Sequence, residues 1–369
     1  MSDDRFQRLA AQRRVLVCAG AGGVGKTTVA AALALGAARR GRRVLCLTID
    51  PARRLADSLG LTLAPGVEEE VKAERFPPGG SLSVAMLDPK STFDDLVVRH
   101  ASSPEVAERI LHNQFYRHVS TSLAGTQSYM AMEKVLSVLK SGRYDLIVLD
   151  TPPTSEALDF LDAPERLVEA LDSPAMRWLV QALQPSGGFS MRILARGVAA
   201  LLRTMGRLTG RGFLEDMAAF VGELNELFGG FKERAAEVSR AFRAADFGYL
   251  LVAAPFGPAV EEAHFFSERL RRLGMRADAL VLNRVHLASE PATLPELSAL
   301  TAARGLTVAP ERLQRAHADE QARARTEGPH LARARSMFEP GRLWIVPVMA
   351  GDVRGLADLG KVTRALLGA

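Results

Sequence analysis

One stretch near the start of the chain limits what it can become: Cys18-Ala19-Gly20-Ala21-Gly22-Gly23-Val24-Gly25-Lys26-Thr27-Thr28. It lies between an apolar run, Val15 to Ala19, and an alanine-rich run, Val29 to Ala38, and reads as strand, loop, helix. From Gly20 to Thr27 it fits G-x-x-x-x-G-K-S/T, a loop whose successive backbone N–H groups wrap a polyphosphate at a helix N-terminus. Glycines let the main chain curl against phosphate, Lys26 neutralises charge on the β and γ groups, and a Thr27 hydroxyl suits Mg²⁺. Gly20, Gly22, Gly23, Val24, Gly25, Lys26, Thr27 and Thr28 are therefore the candidate nucleotide-binding residues.

The same letters contain Gly20-x-Gly22-x-x-Gly25, the dinucleotide fingerprint, and Asp50 ends the next apolar strand as that fingerprint requires. Lys26-Thr27-Thr28 separates the readings. A pyrophosphate-binding turn has no need of these residues, whereas a triphosphate with Mg²⁺ does.

The 369 residues, 47% of them hydrophobic, suffice for one large α/β domain or two ordinary ones. Net charge is +5, and seven of the 47 basic residues are lysine. So weak and dispersed an excess does not predict a nucleic-acid partner. Cys18 and Cys46, the two cysteines, fall in predicted core strands, so neither a disulfide framework nor a zinc site is expected. A reducing cytosol fits. No run of 18 apolar residues occurs, so any membrane role is expected to be peripheral or through a partner.

Further strands are predicted at Val44 to Asp50, Leu82 to Leu87, Tyr144 to Asp150, Tyr249 to Ala254, Ala279 to Asn283 and Leu343 to Val348. Pro65 to Gly80 reads as loop. The alternation with helical patterns predicts an α/β fold with a mostly parallel, doubly wound sheet and an inserted helical subdomain. The sheet is expected to use about 12–90, 131–155 and 246–369, and the helical subdomain about 91–130 and 156–245. Within the insertion, Leu194, Val198, Leu201, Met205 and Leu208 make one apolar stripe, with Arg192, Arg196, Arg203 and Arg207 opposite. Three fates suit that basic amphipathic helix: internal packing, a hydrophobic client or partner, or an anionic membrane surface.

Asp50 and Asp150 both end apolar strands downstream of the loop. A carboxylate at such an exit either serves Mg²⁺ and water or simply caps the following turn. Asn283 likewise suits an adenine contact or a hydrogen-bonded strand end.

With Gly22-Gly23-Val24-Gly25-Lys26-Thr27-Thr28, Asp50-Pro51-Ala52 and Asp150-Thr151-Pro152-Pro153-Thr154 in this order, the chain resembles the arsenical pump-driving and guided-entry targeting ATPases. The resemblance implies an ATP-closed dimer, a homodimer or a pair with a paralogue, that moves its helical subdomain. Lys26 and the Gly22 to Gly25 amides would hold ATP phosphates, Thr27 would ligate Mg²⁺, and Asp150 would support the metal shell. Asp50 would position the attacking water, and Asn283, Pro347 and Val348 would border adenine. Ala21 stands where that family has a further lysine, so this chain is expected to be slow alone. Glu156 stands where its targeting members often have histidine, and arsenite-binding cysteines are missing. The expected function is a cytoplasmic Mg²⁺-dependent ATPase that handles a hydrophobic client or partner. The alternatives are energising an anion or arsenite-type transporter, and positioning of chromosomes or septa.

Overall fold

The fold is built outward from apolar strands whose side chains meet cover on both sides. β1 (Val15–Gly20), β5 (Leu146–Asp150) and β6 (Phe247–Ala253) are buried along their whole length. Such unbroken apolar runs are what a parallel sheet with helices on both faces requires. The computed structural model describes residues 3–50, 54–72, 75–113, 116–117, 120, 126–174, 232–290, 292–305 and 307–367. The basic amphipathic stretch 191–208 and the Pro51-Ala52 pair lie outside them.

The remaining strands are β2 (Arg43–Thr48), β3 (Glu68–Glu70), β4 (Ser81–Met86), β7 (Ala277–Val285) and β8 (Leu343–Pro347). They form one eight-stranded sheet in the order β3-β4-β2-β5-β1-β6-β7-β8. Every pairing is parallel except β3 with β4. The predicted mostly parallel α/β sheet is therefore the observed one. β3 was missed inside the stretch read as loop. Its three glutamates carry no apolar alternation, and its place depends on distant partners: Arg143 and Tyr144 both donate to Glu68.

After β1 the chain crosses over β5's position to reach β2 and then β4. It returns to β5, and only then moves to β6 on the other side. This reversal creates a crevice at the carboxyl ends of the central strands, where open α/β sheets bind ligands. Helix Lys26–Ala38 follows β1 and is buried almost throughout, which explains its alanines: small side chains let it lie close against the sheet. The last helix, Gly355–Leu367, packs on it, with Thr363 donating to the Ala32 carbonyl at 3.0 Å. Gly20 closes β1 against its neighbour, since a Cβ there would lie 2.0 Å from the Val252 carbonyl oxygen.

Away from the crevice, helix Thr126–Ser141 meets a helix at residues 232–242 through a buried ion pair. Arg234 Nε donates to both carboxylate oxygens of Glu133, at 3.1 and 2.9 Å, and Tyr129 donates to the same carboxylate.

Candidate nucleotide site

The glycine-rich loop runs from the end of β1 into helix Lys26–Ala38. Gly25, the residue preceding that helix, has φ 90° and ψ 29°, a left-handed conformation in which side chains are strained. A Cβ on Gly25 would also lie 2.3 Å from Asn283 Nδ2. Lys26 folds back across the loop and donates to the Ala21 carbonyl at 2.8 Å. Burial lowers the Lys26 pKa below its ordinary value, and the Asp150 charge opposes that shift most strongly.

Beneath the loop sits Asp150, last residue of β5, in register with Cys18 on one side and Thr48 on the other. Its Oδ2 accepts from Thr27 Oγ1 at 2.8 Å and from Thr48 Oγ1 at 3.0 Å. Its Oδ1 has no hydrogen-bond partner among the described residues although it is buried. Burial pushes the carboxyl up to about 6, against the two hydroxyls and Lys26, which favour its charged form. An unsatisfied buried carboxylate oxygen beside a threonine hydroxyl is a hard-oxygen donor set of the kind Mg²⁺ takes, directly or through its waters.

A cavity of about 780 Å³ opens above these groups. Gly23, Gly25, Lys26, Thr27 and Thr28 form one wall, with Asp50 from the β2 exit. Asn283, Pro347 and Val348 line the far side. Gly20, Gly22, Val24 and Asp150 support the cavity without lining it. Asn283 Nδ2 donates to the Val24 carbonyl at 2.8 Å, so this side chain ties β7 to the loop while bordering the cavity.

The structure adds cavity residues that sequence reasoning passed over. Arg54 begins the short helix Arg54–Leu59, and its guanidinium lies 3.6 Å from the Asp50 carboxylate. Arg284 is the one non-glycine residue with positive φ among the described residues, 62°, and donates to the Gly23 carbonyl at 3.2 Å. Arg354 lines the opposite lip. No local motif announces these arginines, because their relevance depends on where distant strand ends meet.

A doubly wound parallel sheet with this strand-loop-helix at its switch point defines a P-loop nucleotide-binding α/β protein. The family model for the anion-transporting ATPase matches residues 13–303, and the chain belongs to that family. Among curated proteins it is similar to the ATPase GET3 of Malassezia globosa, 30% identical over 156 residues, 42% of this chain and 44% of that protein. The ATPase GET3 of Podospora anserina is 28% identical over 216 residues, 58% of this chain and 60% of that protein. That of Phaeosphaeria nodorum is 30% identical over 227 residues, 60% of this chain and 64% of that protein. The chain thus spans less than two thirds of the length of each of these relatives. No helix among the described residues is long and apolar enough to cross a membrane.

Proposed function

We propose that the chain binds ATP with Mg²⁺ in this cavity and hydrolyses it, using the nucleotide state to govern a partner-binding form. The observation that carries the reading is the Thr27–Asp150 pair, with its unsatisfied buried oxygen, directly under the phosphate loop. The loop amides and Lys26 would hold the phosphates, and Thr27 with Asp150 would hold the metal. Bound Mg²⁺ would supply neutralisation of the charge on the phosphate oxygens. Asp50, on the cavity wall, would orient the attacking water. The water oxygen bonds to the γ-phosphorus as the bond from that phosphorus to the β–γ bridging oxygen breaks. ADP leaves with the electron pair, and the water's proton ends on the released phosphate. Asn283, Pro347 and Val348 would border the base.

Two chains closing around their nucleotides, with the segments at about 91–130 and 156–245 moving as a subdomain, is the associated partner model. Its output would be capture and release of a hydrophobic client, as the resemblance to the targeting ATPases implies. Calorimetric titration of ATP and ADP with magnesium tests the first step. Light scattering of the Asp50→Asn protein with ATP then tests closure. Absence of ATP binding would end the proposal, and a monomer at every nucleotide state would end the dimer model. The family's description as anion-transporting supports a second output, the energising of a membrane transporter. A stable complex with an integral membrane protein in a pull-down would favour it over client capture.

A further inference from the structure

Four cations line the cavity among the described residues: Lys26, Arg54, Arg284 and Arg354. Three of the head groups have partners other than Asp50. Lys26 is on the Ala21 carbonyl, Arg284 on the Gly23 carbonyl, and Arg354 lies 3.4 Å from Asp352 at the exposed lip. Arg54 faces Asp50, the carboxylate to which the reading above gives the attacking water.

Its base is fixed while its head is largely exposed. Leu55 and Leu59 of the same short helix are buried, and Ser58 Oγ donates to the Arg54 carbonyl at 2.8 Å. The Arg54 side chain is 65% exposed, so its ion pair with Asp50 is of the weak, solvent-screened kind. A guanidinium binds phosphoryl oxygens in a planar two-point fashion and, unlike lysine, keeps its charge in every neutral-pH state. Exchanging a weak surface pair for the charge that builds on a transferring phosphoryl group is therefore downhill. The loop itself offers one lysine, with alanine at position 21, so a second cation at the γ-phosphate has to come from outside it.

We propose that Arg54 is a catalytic arginine acting within its own chain, an inference that rests on the ATPase reading. Its guanidinium lies beside the Asp50 carboxylate, within reach of the same cavity. As the γ-phosphoryl group arrives, the guanidinium transfers to the phosphoryl oxygens, while Asp50 stays on the cavity wall where the water is oriented. One side chain thus supplies transition-state charge from within its own chain.

The test compares wild type, Arg54→Ala and Arg54→Lys by steady-state phosphate release, calorimetric ADP affinity and capture of ADP with aluminium fluoride, with thermal denaturation as the fold control. Arginines in this role contribute about 10³ to 10⁵ in rate, so Arg54→Ala should lower kcat by at least about 30-fold and abolish aluminium fluoride capture. Its ADP affinity should stay within about threefold, the pattern of an interaction made only in the transition state. Arg54→Lys, which keeps the charge and the helix, should fall between the two. Unchanged kcat in Arg54→Ala beside an active wild type would overturn the assignment alone. So would parallel loss of ADP affinity and kcat. Absence of turnover in wild type would overturn the ATPase reading with it. Should Arg54→Ala fail to fold, Arg54→Lys decides, since wild-type turnover and capture there overturn the two-point contact.

Discussion

The side-chain amide of Asn283 donates to the Val24 carbonyl at 2.8 Å, joining the end of β7 to the phosphate loop 259 residues earlier in the chain. That tether leaves no room for a side chain on Gly25. Gly25→Ala should destabilise the fold by at least about 2 kcal/mol, combining a left-handed backbone cost with a contact of 2.3 Å. Asn283→Ala removes one hydrogen bond and should cost about 1 kcal/mol. Urea denaturation of both variants measures the difference, and equal effects would remove the steric account.

Titration of Asp150 should be visible in stability. A carboxyl raised to about 6 by burial favours the fold most below its unfolded value of about 3.9. That contribution is lost as pH rises through about 6, an amount of about 3 kcal/mol. Asp150→Asn has no such loss, so the metal-free variant should be the more stable protein above about pH 6. The gap should close below about pH 4. Denaturation profiles that run parallel across this range would contradict the burial argument.

Magnesium should act through the same group. Its binding needs the carboxylate form, so stabilisation of wild type by magnesium with ADP should grow between about pH 5 and pH 7. Asp150→Asn should show little stabilisation at any pH. Melting curves with and without magnesium measure both, and a retained response in the variant would place the metal elsewhere.

Lys26 and Asp50 should separate binding from turnover. Lys26→Ala removes the cation from the loop and should weaken ATP binding by about tenfold or more. Asp50→Asn should bind ATP within about threefold of wild type while hydrolysing it at least about 100-fold more slowly. Calorimetry and phosphate release provide the two numbers. Unchanged turnover in Asp50→Asn would remove that residue from its role.

Much of this architecture is written locally. Runs such as Val44 to Leu47 and Leu250 to Ala253 announce strands because both of their faces are covered, leaving no polar alternation to misread. Lys26, Thr27 and Asp50 reach one cavity because a motif and a strand exit fix them within one strand-helix unit. Glu68 to Glu70 gave no such signal, since partners far along the chain hold that strand in place. Arg54 and Arg284 were equally silent. One matters for where its head group points, the other for a positive φ inside β7, one residue before its end. The elevated Asp150 pKa is likewise a property of burial between β1 and β2, which no local pattern carries.

The helix–helix ion pair gives a stability test remote from the crevice. Arg234→Ala would leave the Glu133 carboxylate, 1% exposed, with the Tyr129 hydroxyl but without its cation. Breaking such a pair typically costs about 3 to 5 kcal/mol. Thermal denaturation should show a clearly lower midpoint, and a shift no larger than that of a surface substitution would mean that water reaches Glu133.

The outermost strand, Glu68–Glu70, also governs how the molecule behaves in a crowded solution. An edge strand is a template for pairing with another chain, but this one spans three residues and carries Glu69 and Glu70 beside the ion-paired Glu68, so a second copy aligned there would meet like charge. So short and acidic a border is a poor template for edge-to-edge growth.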